Sequence, residues 1–400
     1  MDHSQKATVP SGIAELAEEM TMWRRDLHAH PELGYEEVRT SDIVARKLEA
    51  WGLEVHRGIG RTGVVGVLRG RPGNRAIGLR ADMDALAMEE ANDMPHRSRT
   101  PNRMHACGHD GHTAMLLGAA KYLAETRRFA GTVNFFFQPA EEGLAGAKAM
   151  LDDGLLERFP CDGVYTIHND PDTELGQVNI RAGGMLAAVD YFEVTIRGKG
   201  CHGAQPHLGI DPVVATAQVV LAIQSIASRR TNPTDTVVVS IGQINGGSSN
   251  IVIPEHVTLR GSVRTLKRET RDQAEAWFRA AVEGAVASQG AAADISYQRA
   301  YPPTINTPAE ADIATRAARD TVGAANILPN QPSFMAGDDF AFMLERSPGA
   351  YAFFGQRTQE RGGVALHNPH YDFNDDLLPV GAGYFATLVE QTLASDPTEM

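Results

Sequence analysis

The feature that most constrains this chain is a set of short apolar runs that each stop at chemically capable polar residues. AIGLRADMDAL ends in Asp82 and Asp84, TVNFFFQPAEEG in Glu141 and Glu142, and GVYTIHNDP reaches His168. Runs of this length, separated by amphipathic stretches such as HTAMLLGAAKYLAETRR, read as strands alternating with helices in an α/β sheet covered on both faces. Ligands of such sheets bind beyond the carboxyl ends of the strands. The polar ends are therefore expected to converge on one crevice.

From Ser11 to Trp51 the apolar residues recur at helical spacing, broken by His30-Pro31, which predicts two helices flanking a turn. The middle of the chain reads differently. It runs through a strand YFEVTIRGKG, a helix over about 212–228, strands TDTVVVSIGQI and HVTLRGSVRT, a helix over about 270–288, and ADISYQRAY. This βαββαβ order predicts an inserted α+β domain. The chain then divides into 1–183, 184–300 and 301–400, with the first and last parts forming one discontinuous domain. GIGRTG at 58–63 matches a dinucleotide-binding fingerprint, but the strand pattern VVGVLRG follows where that motif needs a helix N-terminus. These glycines read as a turn.

With 37 Lys plus Arg against 50 Asp plus Glu, the net charge is −13, and no basic block stands out. Such a field repels phosphates, which argues against nucleic-acid or anionic-membrane partners. Three cysteines cannot form a disulfide framework and suit a reducing compartment. MDHSQKATVP lacks a basic stretch followed by an apolar one, and nowhere do about 18 apolar residues run together. A cytoplasmic location is expected, with SDPTEM as a frayed tail.

The densest chemical signal is MHACGHDGH, which sets His105, Cys107, His109, Asp110 and His112 just ahead of an apolar helix. Residues two apart in an extended segment point the same way, so Cys107 and His109 can present a thiolate and an imidazole to one centre. Adjacent acids such as Glu141 and Glu142 are ordinarily a solvated helix start, where the dipole favours negative charge. Here they follow a strand with three consecutive Phe, which places them at the crevice mouth, one able to ligate a metal and the other to serve as a base. His168 ends a further strand, and His367 lies in ALHNPHYDFND. Cys107, His109, Glu142, His168 and His367 supply five N, S and O donors, which suits two metal ions better than one tetrahedral zinc. In the insert, GKGCHGAQPH puts His202 on a Gly-rich turn and NGGSSNIVIP offers Asn250. GSVRT offers Arg264, whose fixed fork suits a substrate carboxylate.

Taken in order, RRDLHAHPELGYEE, LRADMDAL, MHACGHDGHT, FQPAEEG, IHNDP, GKGCHGAQPHLGIDP, NGGSSNIVIP, GDDFAFML and HNPHYDFND resemble the M20 metallopeptidase family. The resemblance is to its amidohydrolase branch of hippurate hydrolases, N-acyl amino acid amidohydrolases and auxin-conjugate hydrolases. It implies a catalytic α/β domain with two divalent metal ions, zinc or manganese with cobalt or nickel also compatible. A lid domain interrupts that domain and pairs in a homodimer. By the same resemblance Cys107, His109, Glu142, His168 and His367 are ligands, Glu141 is the general base and Asp84 supports the metal site. His202 is implied to reach the partner's site, and Asn250 and Arg264 remain candidates for holding substrate. Asp82 stands where the wider family carries a ligating His, which His109 replaces. Two departures stand out: Asp338 in GDDF, where the branch commonly has Glu, and Cys201, where the lid motif has a small residue. The implied reaction is hydrolysis of the amide bond of an N-acyl amino acid. An aminopeptidase or dipeptidase, and a catalytically silent metal-binding relative, are the alternatives.

Overall fold

The computed structural model describes residues 9–329 and 331–394; residues 1–8 and the SDPTEM tail, for which the sequence predicts no leader and fraying, lie outside the described residues. Packing separates two units. The first takes the chain up to Gly183, Ile305–Pro332 and the stretch from Phe342 on, and the second takes Gly184–Thr304 and Ser333–Ala341.

The first unit is built on a sheet of β1 (Glu54–Ile59), β2 (Gly63–Arg69), β3 (Arg71–Asp82), β4 (Ala130–Gln138), β5 (Gly163–Glu174), β6 (Val178–Asn179) and β15 (Gly349–Arg357). Their order is β1-β2-β4-β3-β5-β15-β6. β4, β3, β5 and β15 are parallel, while β2 and β6 run antiparallel to their neighbours. Phe135, Phe136 and Phe137 follow one another on β4 and are all fully buried, so both faces of that strand are covered. Burying each such ring contributes about 1.5–3 kcal/mol. The helix His109–Thr126 is buried along most of its length. A Cβ on its Gly118 would lie 2.2 Å from Met20 Sδ, so only glycine lets the helix Ala17–Ala29 approach this closely. β3 has β4 on one side and β5 on the other. Its carboxyl end is therefore where the strand order reverses, the usual position of a ligand crevice. GIGRTG is a turn, with Gly58 and Gly60 at positive φ, leading into β2.

Short strands β7 (Gly183–Leu186) and β14 (Thr304–Asn306) flank the inserted stretch in sequence. Within the second unit, β8 (Ala188–Arg197), β10 (Val237–Gly246), β12 (His256–Thr265) and β13 (Ala292–Tyr301) form an antiparallel sheet in the order β10-β12-β8-β13. β9 (Cys201–His202) pairs antiparallel with β11 (Val252–Ile253) in a separate two-stranded sheet. Phe192, Val194 and Ile196 from β8 meet Val219, Ile223, Phe278 and Val282 from the helices Pro212–Ser225 and Arg268–Ala287. The first of these helices starts where expected, because Pro212 fixes φ and the Asp211 carboxylate accepts the Val213 N–H at 2.8 Å. The unit differs from the sequence division at its end. It runs on to Thr304 and takes back Ser333–Ala341, which is held by backbone bonds from Ala187 N–H to Phe334 and Ala336. Backbone pairing of this kind leaves no hydrophobic period to read.

Before β1, the helices Ala17–Ala29 and Val38–Ala50 flank the link at His30-Pro31. The first is fastened by a buried ionic cluster. Arg24 donates to Asp375 at 2.7 Å and Asp372 at 3.2 Å and lies 3.6 Å from Asp110. His28 pairs with Asp110 through Nδ1 at 2.8 Å and faces Glu90 through Nε2 at 3.3 Å, with the His96 and His105 rings nearby. Burial and Arg24 oppose a charge on His28, but Asp110 and Glu90 outweigh them and raise its pKa to about 9.

A histidine with a raised folded-state pKa stabilises fully below its unfolded value of about 6.5 and loses that contribution as pH rises through about 9. The size is about 3 kcal/mol. Urea unfolding of the wild type and His28→Gln at pH 6, 8 and 10 should show their stability difference shrinking with pH. A difference constant across that window would contradict a charged His28.

Candidate metal centre

The polar ends of the three runs meet. β3 delivers Asp82 and, two residues on, Asp84; β4 delivers Glu141 and Glu142 through Pro139; β5 delivers His168. His109 opens the buried helix after Gly108, whose φ of +94° suits glycine alone. A Cβ there would also strike the Asn169 side chain at 2.3 Å. His367 comes from the loop after β15, its N–H bonded to Ala106 O at 2.8 Å, which holds it beside Cys107.

The donors fall into overlapping groups whose ligand atoms lie within 4.8 Å of one another. Cys107, His109 and His168 form one, Cys107, Glu142 and His367 a second, and His109, Glu141 and Glu142 a third. The histidine tautomers suit ligation. His109 Nδ1–H donates to Asp84 O at 2.9 Å and His168 Nδ1–H to Asn169 O at 2.8 Å, leaving both Nε2 atoms as the ones available to a cation. His168 Nε2 lies 3.5 Å from Cys107 Sγ. Among the described residues, His109 Nε2 and Glu142 Oε1 are buried without a hydrogen-bond partner, the latter 3.2 Å from His367 Nε2 but off hydrogen-bond geometry. A buried polar atom left bare costs about 1–3 kcal/mol. A bound cation uses both, so the residues present fit a metal.

The electrostatics point the same way. Burial, reinforced by Glu142, pushes the Cys107 thiol up. Burial and the neighbouring His112 hold His168 well below the usual imidazole range. His367 is raised to about 10 by the nearby Cys107 and Glu142, which favour its charged form. Burial disfavours a charged His109, yet Asp82 and Cys107 hold it well above the ordinary value. Protons thus stand in unevenly for a positive charge that the thiol and carboxylate call for.

Asp84 holds the acid pair in place. Its Oδ1 accepts the Glu141 N–H at 3.0 Å and its Oδ2 the Glu142 N–H at 2.9 Å. The loop they fix is a kinked turn, with Ala140, Gly143 and Ala145 at positive φ.

His112 gains a place that the sequence reading left open. Its ring packs edge-on against His168 with centroids 4.5 Å apart, and 5.5 Å from His109. It is held by Asp82 Oδ1 at 2.6 Å and Asn169 Oδ1 at 2.7 Å. Asp82 in turn takes a 2.7 Å bond from Arg80, and Asn169 donates to Tyr371 Oη at 2.8 Å. The i, i+3 spacing of His109 and His112 on one helix face is the signal for this packing. Nothing in the sequence pattern flagged Arg80, Asn169 or Tyr371.

The remaining candidates belong to the second unit. His202, on β9, is exposed and its Nδ1 accepts the Ala204 N–H at 3.0 Å, which leaves Nε2–H as an outward donor. Asn250 is exposed just before β11, and Arg264 is half-buried on β12. Asp338 is buried, and its Oδ1 accepts the Phe340 N–H at 2.8 Å. Cys201 Sγ sits over Gly209, 2.5 Å from where a Cβ on that glycine would be.

A sequence profile of peptidase family M20/M25/M40 matches residues 78–391. The chain is 42% identical over 376 residues to hippurate hydrolase of Campylobacter jejuni, covering 94% of this chain and 97% of that one. It is 38% identical to N-acetyl-L-cysteine deacetylase of Bacillus subtilis, covering 94% and 88%. Among solved structures, a dinuclear metal binding peptidase of Bacillus subtilis superposes with a TM-score of 0.83 at 33% identity, over 95% of this chain and 99% of that one.

Cys107→Ser should lower bound metal, because a hydroxyl does not ionise at neutral pH as a metal-bound thiol does. Elemental analysis after gel filtration reads this directly. Undiminished metal in the variant would remove Cys107 from the donor set.

Proposed function

The chain belongs to peptidase family M20/M25/M40, and from that premise we propose that it is a metal-dependent amidohydrolase that cleaves N-acyl amino acids into a carboxylate and a free amino acid. The observation that carries this reading is the Glu141 carboxylate among donors built for cations, at the crevice of the sheet. Two divalent ions are proposed, one in each of the groups that share Cys107, with Glu142 and His367 completing one and His109 and His168 the other. Thiolate and imidazole donors favour zinc, cobalt or nickel, and manganese is the alternative.

Divalent cations held there supply Lewis acidity and lower the pKa of water. The chain's own residues do the rest. Glu141, only 7% exposed, takes the proton from the attacking water, holds it on its carboxylate, and returns it to the departing amine nitrogen. Asp84 keeps that carboxylate aimed by fixing the backbone beneath it. Arg264 is proposed to grip the substrate carboxylate as a fork, with Asn250 beside it in function. His202 is proposed to donate from Nε2–H to the developing oxyanion.

The second unit supports a homodimer. Val213, Val214 and Leu221 are exposed on the helix Pro212–Ser225, Leu221 by 74%, and β10 is an open edge carrying exposed Val238 and Ile244. Apolar surface and an unpaired strand edge together favour pairing with a second copy. Free Cys107, Cys161 and Cys201 suit a reducing cytoplasm, and among the described residues no helix is long and apolar enough to cross a membrane.

The direct test is amine release from hippurate-like, N-acetyl and indoleacetyl amino acids with added metal. Release from free dipeptides alone would move the reading to an aminopeptidase. Glu141→Gln should bind metal as the wild type does and lose about 10²–10⁴-fold in kcat, since an amide accepts no proton. Near-normal turnover would take Glu141 out of the reaction.

For the dimer, Glu141→Ala and His202→Ala homodimers should each be nearly inactive. Co-refolded in equal amounts, about half the dimers are mixed, and each mixed dimer regains one site that pairs an intact Glu141 with the partner's His202. Activity should return to about a quarter of wild type. Mixed dimers that form but stay inactive would rule out a composite site.

A further inference from the structure

The motif HPELGYEE carries none of the metal donors, yet its residues close on the loop that carries Glu141 and Glu142. Glu37 is fully buried at the start of the helix Val38–Ala50. Its Oε1 accepts the Ala140 N–H at 2.8 Å, and its Oε2 accepts the Thr62 hydroxyl at 2.6 Å. Three residues earlier, Gly34 lies flat against the same loop: a Cβ on it would sit 2.9 Å from Leu144 Cδ1 and 3.0 Å from Ala140 Cα. Tyr35 Oη donates to Leu144 O at 3.0 Å. The motif also reaches the other support, because Ala85 N–H, next to Asp84, bonds Glu32 O at 2.8 Å.

We propose that the segment Gly34–Glu37 is a clasp on the catalytic loop, and that Glu37 is a positioning residue for Glu141 and Glu142. Three successive N–H groups, of Ala140, Glu141 and Glu142, end on two buried carboxylates, Glu37 and Asp84. Asp84 fixes where the acid pair sits. Glu37 fixes the residue before it, Ala140, which stands at a φ of +54° that alanine rarely adopts without restraint. Released from Glu37, Ala140 relaxes toward ordinary backbone angles and the two acids after it swing with it. Burial pushes the Glu37 carboxyl up to about 7, with the Thr62 bond opposing. A neutral acceptor of the same shape therefore does the same work. Gln at 37 accepts the Ala140 N–H through its carbonyl and donates to Thr62 Oγ1 through its amide.

This rests on Glu141 as base and Glu142 as ligand, so Glu141→Gln is measured beside it. Glu37→Ala should release metal to a chelator at least tenfold faster and lower kcat at saturating metal at least tenfold, with KM within twofold. Glu37→Gln should bring both back to within threefold of wild type. Val44→Ala, on the same helix and equally buried, should lower Tm while leaving both unchanged. Should Glu37→Ala not fold, Gly34→Ala pushes Ala140 from the other side and should show the same two losses. The clasp is refuted if Glu37→Ala, or Gly34→Ala in its place, keeps metal release and kcat within twofold of wild type. It is refuted too if Glu37→Gln is as impaired as Glu37→Ala. An active Glu141→Gln instead overturns the base assignment, and metal release still judges the clasp.

Discussion

The site depends on one carboxylate that has no direct part in the chemistry. Asp84 stands two residues past the end of β3 and accepts two consecutive N–H groups from the loop after β4. Its backbone carbonyl takes the His109 Nδ1–H from the start of the central helix. Three elements far apart in sequence are thus tied at one residue. A buried carboxylate is costly unless its oxygens are filled, and here the donors that fill them belong to the very segments that must be aligned. Satisfying Asp84 and assembling the site are the same event.

Much of the site was legible because its donors occur where the strand pattern breaks. Apolar runs with Asp84, Glu141 and His168 at their ends specify strands, direction and a shared crevice, and β3, β4 and β5 are parallel neighbours as that requires. Cys107 and His109 were readable from density alone. The insert was readable from its βαββαβ order, since β8 alternates buried and exposed residues over one face. What escaped is instructive. β1, the half-exposed EVHRGI, has too weak an apolar pattern to announce itself. The return of Ser333–Ala341 to the second unit depends on backbone bonds, which carry no side-chain signature. Asn169, Tyr371 and Glu37 were invisible because each finds its partner only when segments distant in sequence are already side by side, and Arg80 because its pairing with Asp82 two residues on looks like any neighbouring charge pair.

These hidden residues share a physical character. Arg80, Asp82, His112, Asn169 and Tyr371 form a continuous buried chain next to the candidate ligands, and Arg24, His28, Asp110 and Glu90 a second one. Such a network is a weak source of stability, because desolvating so many charges recovers little net energy. Hydrogen-bonded networks supply direction instead. They hold the His109 and His168 rings at fixed tilts, where greasy packing alone tolerates rotation.

His367 is the last of the candidate donors in the chain, and β15, which lies beside β5 in the sheet, ends at Arg357 shortly before it. During synthesis, domains form as units from the N-terminal end. A nascent chain that has reached Thr304 holds all four strands of the second unit's sheet but still lacks Ser333–Ala341, β15 of the larger sheet, and the candidate donor His367. The four-stranded sheet of the second unit can therefore form on the ribosome while β5 of the larger sheet is still unpaired on one edge. A truncated translation product ending anywhere before residue 367 lacks the last of the candidate donors. On the proposed donor set, the group that His367 shares with Cys107 and Glu142 is completed only near the end of translation, through the position of a single histidine.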